Sequence, residues 1–453
     1  MNHRRTMLLV FLACLGLGTF RAEWSYNVPE TSFVMRVVVA VVPVATVLIA
    51  GFALGAFRIR WNTHRLWFAC AGLVVLGAVQ AVHVLFPSGY GAVLRPDFYL
   101  SLILTVAGAM IGYWFAADVR DLQWGLKKIA LLLALLSVYG GLMRLIGADQ
   151  IHPLLVPGFP IRLFILFAYC WYLHEWLNRS KWSLGPLLGL AACSPEVFIT
   201  FHKPVLFCAV VASTFLFVYS IWVTHRVAAV AARTVALLTI GTSLFVTANL
   251  LASGQIVEHV TQVVTQRMLH ESARQRGETS GEALARIAGN RLYLWKEGLA
   301  TFQASPLVGV GFGQQVGGMA SNPQDPTGRG LRYSVYVHNG YLDLLLSVGI
   351  LGTLPVAVAL IWWLRVALRR ELSRRMGYLV VPCLAFVVSI LAYNLGGGSR
   401  LFFSLNAFTV FFMAAIVRLA EALPAAVPLS HRRYGWARRP ALRGGIRHAN
   451  ARS

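Results

Sequence analysis

The sequence predicts an all-α integral membrane protein. Of its 453 residues, 57% are hydrophobic and only 13% are charged, whereas a soluble domain carries about 25% charged residues. The apolar residues also occur in runs of roughly 18–25, and an α-helix needs ~20 residues to cross about 30 Å of hydrocarbon. A helical membrane bundle therefore accounts for most of the chain.

Hydropathy predicts about twelve transmembrane helices. The first apolar run follows basic residues and resembles a signal peptide, but a poor cleavage site comes after Phe20, so we interpret it as an uncleaved helix. The predicted spans cover residues 6–20, 34–56, 66–86, 98–116, 128–147, 160–177, 184–200, 204–223, 235–253, 340–364, 377–394 and 401–420.

The distribution of lysine and arginine predicts the orientation. These side chains resist translocation, and most of the 40 basic residues gather in segments that share one side with the N-terminus. Both termini are therefore predicted to be cytoplasmic. The net charge of +23 would suit a nucleic-acid binder, but because the charges flank the spans, we expect anionic membrane lipids as their partner and no nucleic acid.

Four regions follow from this layout. Residues 1–253 hold spans one to nine, 254–339 form one long loop on the non-cytoplasmic side, 340–423 hold spans ten to twelve, and 424–453 form a basic tail. All six cysteines lie within apolar runs, which predicts small hydrophobic side chains rather than disulfides or a metal site.

The long loop contains helical signals. Apolar residues recur at helical spacing from Ile256 to Met268, which predicts a first helix over residues 256–274. Thr279 and Glu282 have the spacing of a capping box, and a second helix is predicted from about Gly281 to Gln303, with an apolar stripe that runs from Leu284 to Leu299. Pro306 and the glycines after it end that helix. Long ordered loops are usually functional, so we expect the chemistry of the protein here.

Basic side chains near this side could bind phosphate. A guanidinium binds phosphate through a bidentate fork and stays charged when it is partly desolvated. Arg267 and Arg291 lie in the loop, and Arg162 and Lys203 lie near the outer ends of predicted spans. Such a set suits a lipid-linked phosphate or pyrophosphate, although surface ion pairing along the loop helices explains any single arginine equally well.

His338 lies where the loop returns to the membrane. Imidazole titrates near neutrality and can take a proton from a hydroxyl nucleophile. The residue type alone also fits an ordinary interfacial histidine.

Three stretches resemble the O-antigen ligase and polymerase superfamily of bacterial envelope glycosyltransferases. They are Arg291-Leu-Tyr-Leu-Trp295, then Pro306 with Gly309, Gly311 and Gly313, and His338-Asn339-x-x-Leu342-x-x-Leu345-x-x-x-Gly349-Ile350-x-Gly352. Their order and the twelve-span layout are similar to those of the family. Family members often carry Ser-Arg where this chain has His202-Lys203, and a lysine contributes only a point charge.

The resemblance implies a membrane-embedded, GT-C-like glycosyltransferase in the bacterial inner membrane, with a periplasmic active site and without cofactor or metal. An O-antigen ligase transfers polysaccharide from undecaprenyl pyrophosphate to a sugar hydroxyl of lipid A–core. A polymerase of the same superfamily, which uses a second carrier-linked glycan as acceptor, is the alternative. A transporter of lipid-linked glycan is the alternative from a different class.

The implied mechanism assigns roles to individual residues. His338 is the general base, and Arg291, Arg267 and Lys203 are expected to neutralise the departing pyrophosphate. Arg162 could reach the same phosphate. Trp295, which matches the family's tryptophan in the loop helix, and Asn339 are also expected to bind the pyrophosphate or the glycan. Asn339 or Asp343 could orient the imidazole, although both positions also suit the start of a helix.

Overall fold

The computed structural model describes twelve stretches of the chain, and every segment with regular structure among them is helical. These stretches are residues 3–11, 45–47, 49–55, 96–145, 159–178, 183–199, 203–224, 227–251, 295–296, 298–311, 339–396 and 407–423. The expectation of an all-α protein is thus confirmed for the described part of the chain.

Nine long helices organise this part, and shorter helical stretches lie at 3–11, 45–47, 49–53, 295–296 and 298–304. The nine are α1 (Pro96–Phe115), α2 (Val119–Leu145), α3 (Phe159–Asn178), α4 (Leu184–Ser194), α5 (Lys203–Thr224), α6 (Val227–Leu251), α7 (Gly340–Ala367), α8 (Arg370–Gly396) and α9 (Ala407–Glu421). A π-helical turn, Pro195–Ile199, extends α4.

Four described helices are long and apolar enough to cross a membrane. Their apolar stretches are Val119–Met143, Val205–Trp222, Gly340–Ala367 and Glu371–Leu395. Thr105–Phe115, Leu184–Phe198 and Val227–Ile240 are shorter apolar helices. A multi-pass membrane protein is therefore confirmed, while the number of twelve spans stays a prediction.

Helix α2 begins at Val119, well before the predicted span at residue 128. Asp118 explains the early start, because its Oδ1 accepts hydrogen bonds from the backbone N–H groups of Arg120 (2.8 Å) and Asp121 (3.3 Å). The hydrogen bond from Asp121 is the main reason that the pKa of Asp118 lies below its ordinary value. Hydropathy missed this first part of the helix because it is polar.

Aromatic side chains fill the centre of the bundle, where α3, α8 and α9 meet. The Phe167 ring stacks on Phe412 at 4.4 Å and meets Phe386 edge-on at 6.0 Å. Phe408 packs edge-on against Phe412 at 4.8 Å. All four are at most 2% exposed. Such offset and edge-to-face contacts supply packing energy that does not depend on excluding water.

Polar contacts define the two ends of the bundle. At one end, Arg5 pairs with Asp121 (3.1 Å), and the Tyr113 hydroxyl donates to Glu421 (2.6 Å) near the end of α9. The other end, which we call the loop end, contains the first residues of α3, α5, α7 and α9 and the last residues of α8. There the Tyr341 hydroxyl donates to the Leu391 carbonyl (2.8 Å). The start of α7 thus lies beside the end of α8, and these two consecutive helices run in opposite directions, as the predicted spans require.

Candidate functional site

Helix α7 is interrupted near the loop end. Gly349 has φ 62° and ψ −166°, a region of backbone conformation that is essentially restricted to glycine. An intact α-helix would pair the Ile350 and Leu351 N–H groups with the carbonyls of Leu346 and Ser347. The turn at Gly349 separates these four groups, which then need other partners.

Residues 306–311 of the long loop supply those partners. We call this arrangement, residues 306–311 against 346–351, the glycine junction. It contains four backbone hydrogen bonds: Val310 N–H to Leu346 O (2.8 Å), Gly311 N–H to Ser347 O (2.9 Å), Ile350 N–H to Pro306 O (2.9 Å) and Leu351 N–H to Leu307 O (3.0 Å). The loop therefore completes the hydrogen bonding that the interrupted helix lacks.

Glycine is required on both sides of this junction. Gly309 has φ 70°, and a Cβ placed on it would lie 2.4 Å from the Leu346 carbonyl oxygen. A Cβ on Gly349 would lie 2.3 Å from the Leu307 carbonyl oxygen. Both positions belong to the stretches on which the family resemblance rests, so two of the three stretches are joined in space.

Trp295 packs beside this junction. Together with Phe302 and Leu342, it covers Leu346, which is 2% exposed. The described helix ends at residue 304, close to the predicted end at Gln303. The prediction that Leu299 belongs to the buried apolar stripe of this helix is wrong, because Leu299 is 48% exposed. The larger aromatic side chains, Trp295 and Phe302, lie two turns apart on one face of the helix, and this partly buried face packs against Leu346 instead.

Asn339 caps helix α7. Its Oδ1 accepts hydrogen bonds from the backbone N–H groups of Tyr341 and Leu342, both at 3.1 Å, and its own backbone is extended. The sequence allowed Asn339 to begin a helix or to orient the imidazole of His338, and this contact is the first of those two roles. Asp343 lies in the first turn of the same helix.

Arg162 and Glu196 form an ion pair at the loop end. Arg162 Nε lies 3.1 Å from Glu196 Oε2, and the Glu196 side chain is fully buried. The backbone N–H of Glu196, in the π-helical turn, donates to Ser137 Oγ (3.3 Å). Sequence reasoning noted Arg162 but did not pair it with Glu196, because the contact joins α3 to a turn that follows α4. A phosphate-binding role of Arg162 stays a prediction, now with a buried carboxylate beside it.

The other predicted site residues are placed only in part. Lys203 is the first residue of α5, and the Cys208 thiol on that helix donates to the Ser389 carbonyl (3.4 Å) of α8. The first turn of α5 therefore lies at the loop end with Asn339. Arg267, Arg291 and His338 lie outside the described residues.

The described residues contain no group of three or more His, Cys, Asp or Glu side chains that could hold a metal ion. Independence from metal stays a prediction.

Comparison with known proteins gives one family. No curated protein matches the chain significantly. A family model described as O-antigen ligase matches residues 203–357, a segment that begins at Lys203 and contains the long loop, the glycine junction and the first half of α7. The resemblance found in the sequence is thus confirmed: over these residues the chain carries the sequence pattern of the O-antigen ligase family.

Proposed function

We propose that this protein is an O-antigen ligase, which transfers polysaccharide from undecaprenyl pyrophosphate to a sugar hydroxyl of lipid A–core. The observation that carries the proposal is the glycine junction, which joins two family-like stretches within the segment that matches the family model. It anchors the end of the loop helix that contains Trp295 to the helix that directly follows His338. The proposed donor-binding and base residues therefore come from chain segments that the junction ties together.

The proposed step is a single displacement at the anomeric carbon of the donor sugar. The acceptor hydroxyl oxygen forms the new bond to that carbon, and the hydroxyl proton goes to the imidazole of His338. The bond from the carbon to the phosphate oxygen breaks, and its electron pair leaves with undecaprenyl pyrophosphate. One displacement inverts the anomeric configuration, and His338 then returns its proton to solvent.

Cations stabilise the leaving group in this proposal. Arg291 and Arg267 from the loop and Lys203 at the start of α5 neutralise the charge that grows on the pyrophosphate. Arg162 is the fourth candidate, and its partner Glu196 would hold the guanidinium in one orientation while lowering its net charge. The mechanism needs neither a cofactor nor a metal ion.

The proposed topology has twelve spans and a GT-C-like fold in the inner membrane. Residues 1–253 and 340–423 form the membrane part, residues 254–339 form a periplasmic catalytic loop, and the basic tail 424–453 is cytoplasmic with the N-terminus. Single cysteines introduced at positions 325 and 440 test this. A membrane-impermeant maleimide is expected to label only position 325 in intact cells, and labelling of position 440 alone would contradict the orientation.

Purified protein in nanodiscs tests the reaction. With lipid-linked glycan and lipid A–core, wild-type protein should form capped core, and His338→Ala should lose at least about a hundredfold in rate while it still binds donor. Arg291→Ala should mainly weaken donor use, and Arg291→Lys is its matched control. Wild-type activity of His338→Ala would contradict the general-base role.

The same assay separates the alternatives. A polymerase would extend carrier-linked glycan without needing lipid A–core, and deletion of its gene would leave core that carries a single repeat. A transporter would move glycan across the bilayer and form no product when both substrates are on one face. A ligase deletion leaves uncapped core and accumulates carrier-linked polymer.

A further inference from the structure

A groove runs along the exposed side of α5, where this helix packs against α8. It is lined by Val210, Phe215, Val218, Tyr219 and Trp222 of α5 and by Val388 of α8. We call it the α5–α8 groove, and its volume is about 470 Å³. Apart from two hydroxyl groups, those of Thr214 and Tyr219, its lining side chains are apolar or aromatic. A ligand that fills it must therefore be apolar as well.

Two hydrogen bonds show how α5 and α8 form the groove. The Cys208 thiol donates to the Ser389 carbonyl (3.4 Å) towards the loop end. Towards the opposite end, the Tyr219 hydroxyl is hydrogen-bonded to the Ser373 hydroxyl. The step from Cys208 to Tyr219 is about 17 Å along the helix. The two helices are therefore antiparallel and in contact over that length, and the groove follows their contact.

The length of the groove matches one leaflet of a bilayer. Val210 to Trp222 spans about 18 Å of helix, and each leaflet contributes about 15 Å to the hydrocarbon core. The membrane-crossing stretch of α5 ends at Trp222, so the groove reaches the membrane surface at the end opposite the loop end. The rings of Tyr219 and Trp222 lie there with their centroids 5.3 Å apart, and such side chains typically lie at the level of the lipid headgroups.

Arginines lie beside this aromatic end of the groove. Ser373, which contacts the groove, follows Arg369 by one turn, with its N–H bonded to the Arg369 carbonyl (3.2 Å), and it directly precedes Arg374. Both arginine side chains are exposed, and no described residue forms an ion pair with either of them. Glu371, in the same turn, pairs with Arg375 (2.5 Å). Because α8 also begins here, the positive end of its dipole adds to the attraction for an anion.

We propose that the α5–α8 groove binds one acyl chain of an anionic phospholipid, whose phosphate is bound by Arg369 and Arg374. A guanidinium binds phosphate through paired hydrogen bonds and stays charged when it is partly desolvated. In the proposed topology this end faces the cytoplasm, where anionic lipids attract basic segments. The carrier chain of the proposed donor fits less well, because its pyrophosphate is expected at the other end of α5. The inference does not depend on the proposed function.

Native mass spectrometry of the full-length protein tests this site by titration with phosphatidylglycerol or phosphatidylcholine of equal chain length. Wild-type protein should bind one phosphatidylglycerol at least about tenfold more tightly than phosphatidylcholine, since each arginine near the membrane surface adds to the attraction. In Arg369→Gln/Arg374→Gln this preference should fall to within about twofold. Val211→Trp, which fills the groove, should weaken the binding of both lipids, and Val218→Trp replaces it if that variant does not fold.

Matched variants on α2 separate the site from general effects of charge and size. Lys127→Gln/Lys128→Gln removes two exposed charges from a helix that does not line the groove. Leu135→Trp adds an indole at an exposed apolar position away from the groove. Both variants should keep the wild-type affinities for the two lipids.

Four results would overturn the proposal. Equal affinities of wild-type protein for the two lipids would reduce the groove to ordinary contact with the bilayer. A preference for phosphatidylglycerol that is unchanged in Arg369→Gln/Arg374→Gln, or equally lost in Lys127→Gln/Lys128→Gln, would remove the role of the two arginines. Undecaprenyl pyrophosphate that displaces phosphatidylglycerol and no longer binds to Val211→Trp would assign the groove to the donor chain.

Discussion

Two parts of the molecule use glycine for close backbone approach, but in different ways. Where α1 packs on α9, a Cβ on Gly108 would lie 2.4 Å from the Ala407 carbonyl oxygen, and one on Gly112 would lie 2.2 Å from that of Phe411. In the glycine junction, Gly309 and Gly349 make equally close approaches but also have positive φ.

The two sets of glycines thus serve different purposes: one allows two helices to pack closely, and the other allows the backbone to change direction. Gly108 and Gly112 are four residues apart on one face of a continuous helix, and they give α9 room to approach. Gly349 interrupts its helix and releases backbone groups that the loop then binds. Only the glycine junction lies in the segment that matches the family model. We therefore expect changes at α1–α9 to affect stability and changes at the junction to affect transfer as well.

The largest expected effect is that of Gly349→Ala. The backbone region at Gly349 costs a non-glycine residue of order 1–3 kcal/mol, and the new methyl group would also collide with Leu307. The junction should open, and transfer should fall by at least about tenfold in protein that still folds. The rate per folded molecule in nanodiscs measures this.

Ser347→Ala is the matched control for Gly349→Ala. It changes a side chain in the same turn but keeps the backbone carbonyl that accepts from Gly311. It should retain most of the activity. Equal losses of transfer activity in Gly349→Ala and Ser347→Ala would contradict a special role of the backbone turn at Gly349.

The second largest effect is expected for Gly112→Ala. Its methyl group would force α1 and α9 apart, and overpacking of this kind costs about 1–3 kcal/mol. The thermal midpoint should fall, while the rate per folded molecule at low temperature should stay near that of the wild type. A selective loss of transfer would contradict the assignment of this contact to packing.

Asn339→Ala should have a smaller effect. Loss of an N-cap costs about 1 kcal/mol, and Asn339→Ser keeps an oxygen that can cap. If capping is the role of Asn339, the serine variant should match the wild type in both stability and transfer. Loss of transfer in the serine variant, with normal stability, would show that Asn339 also contacts His338 or a substrate.

The smallest effect is expected at Asp118, far from the junction. The pKa of Asp118 is lowered in the folded protein. The ionised carboxylate therefore stabilises the folded state at pH values above the ordinary pKa of 3.8. This contribution disappears as the pH falls through the pKa of the folded state. Asp118→Asn should therefore lower the thermal midpoint slightly at pH 6 and by less as the pH falls below 3.8. A difference that grows towards low pH would contradict this sign.

Local sequence signals predicted the helices well. The predicted spans 160–177 and 204–223 differ by one residue at each end from Phe159–Asn178 and Lys203–Thr224, because apolar runs with polar ends leave little choice of boundary. The polar start of α2 was missed because hydropathy detects the membrane-crossing part of a helix and not its extension into water.

Contacts between distant segments could not be predicted. Gly349 and Gly309 were recognised as family-like glycines, but nothing near Gly349 indicates that the helix stops there, because its partner lies in another segment. Tyr219 lies in an apolar run of α5, and its contact with Ser373 follows only from how two helices pack. The same holds for the pairing of Arg162 with Glu196, which joins two different helices.

Amide hydrogen exchange at the glycine junction tests the central claim most directly. In purified wild-type protein, peptides that contain Val310, Gly311, Ile350 and Leu351 should be protected, since all four N–H groups are hydrogen-bonded. This protection should be lost in Gly349→Ala and kept in Gly112→Ala. Exchange of the Val310 and Gly311 amides in wild-type protein at the rate of an unstructured chain would contradict the account.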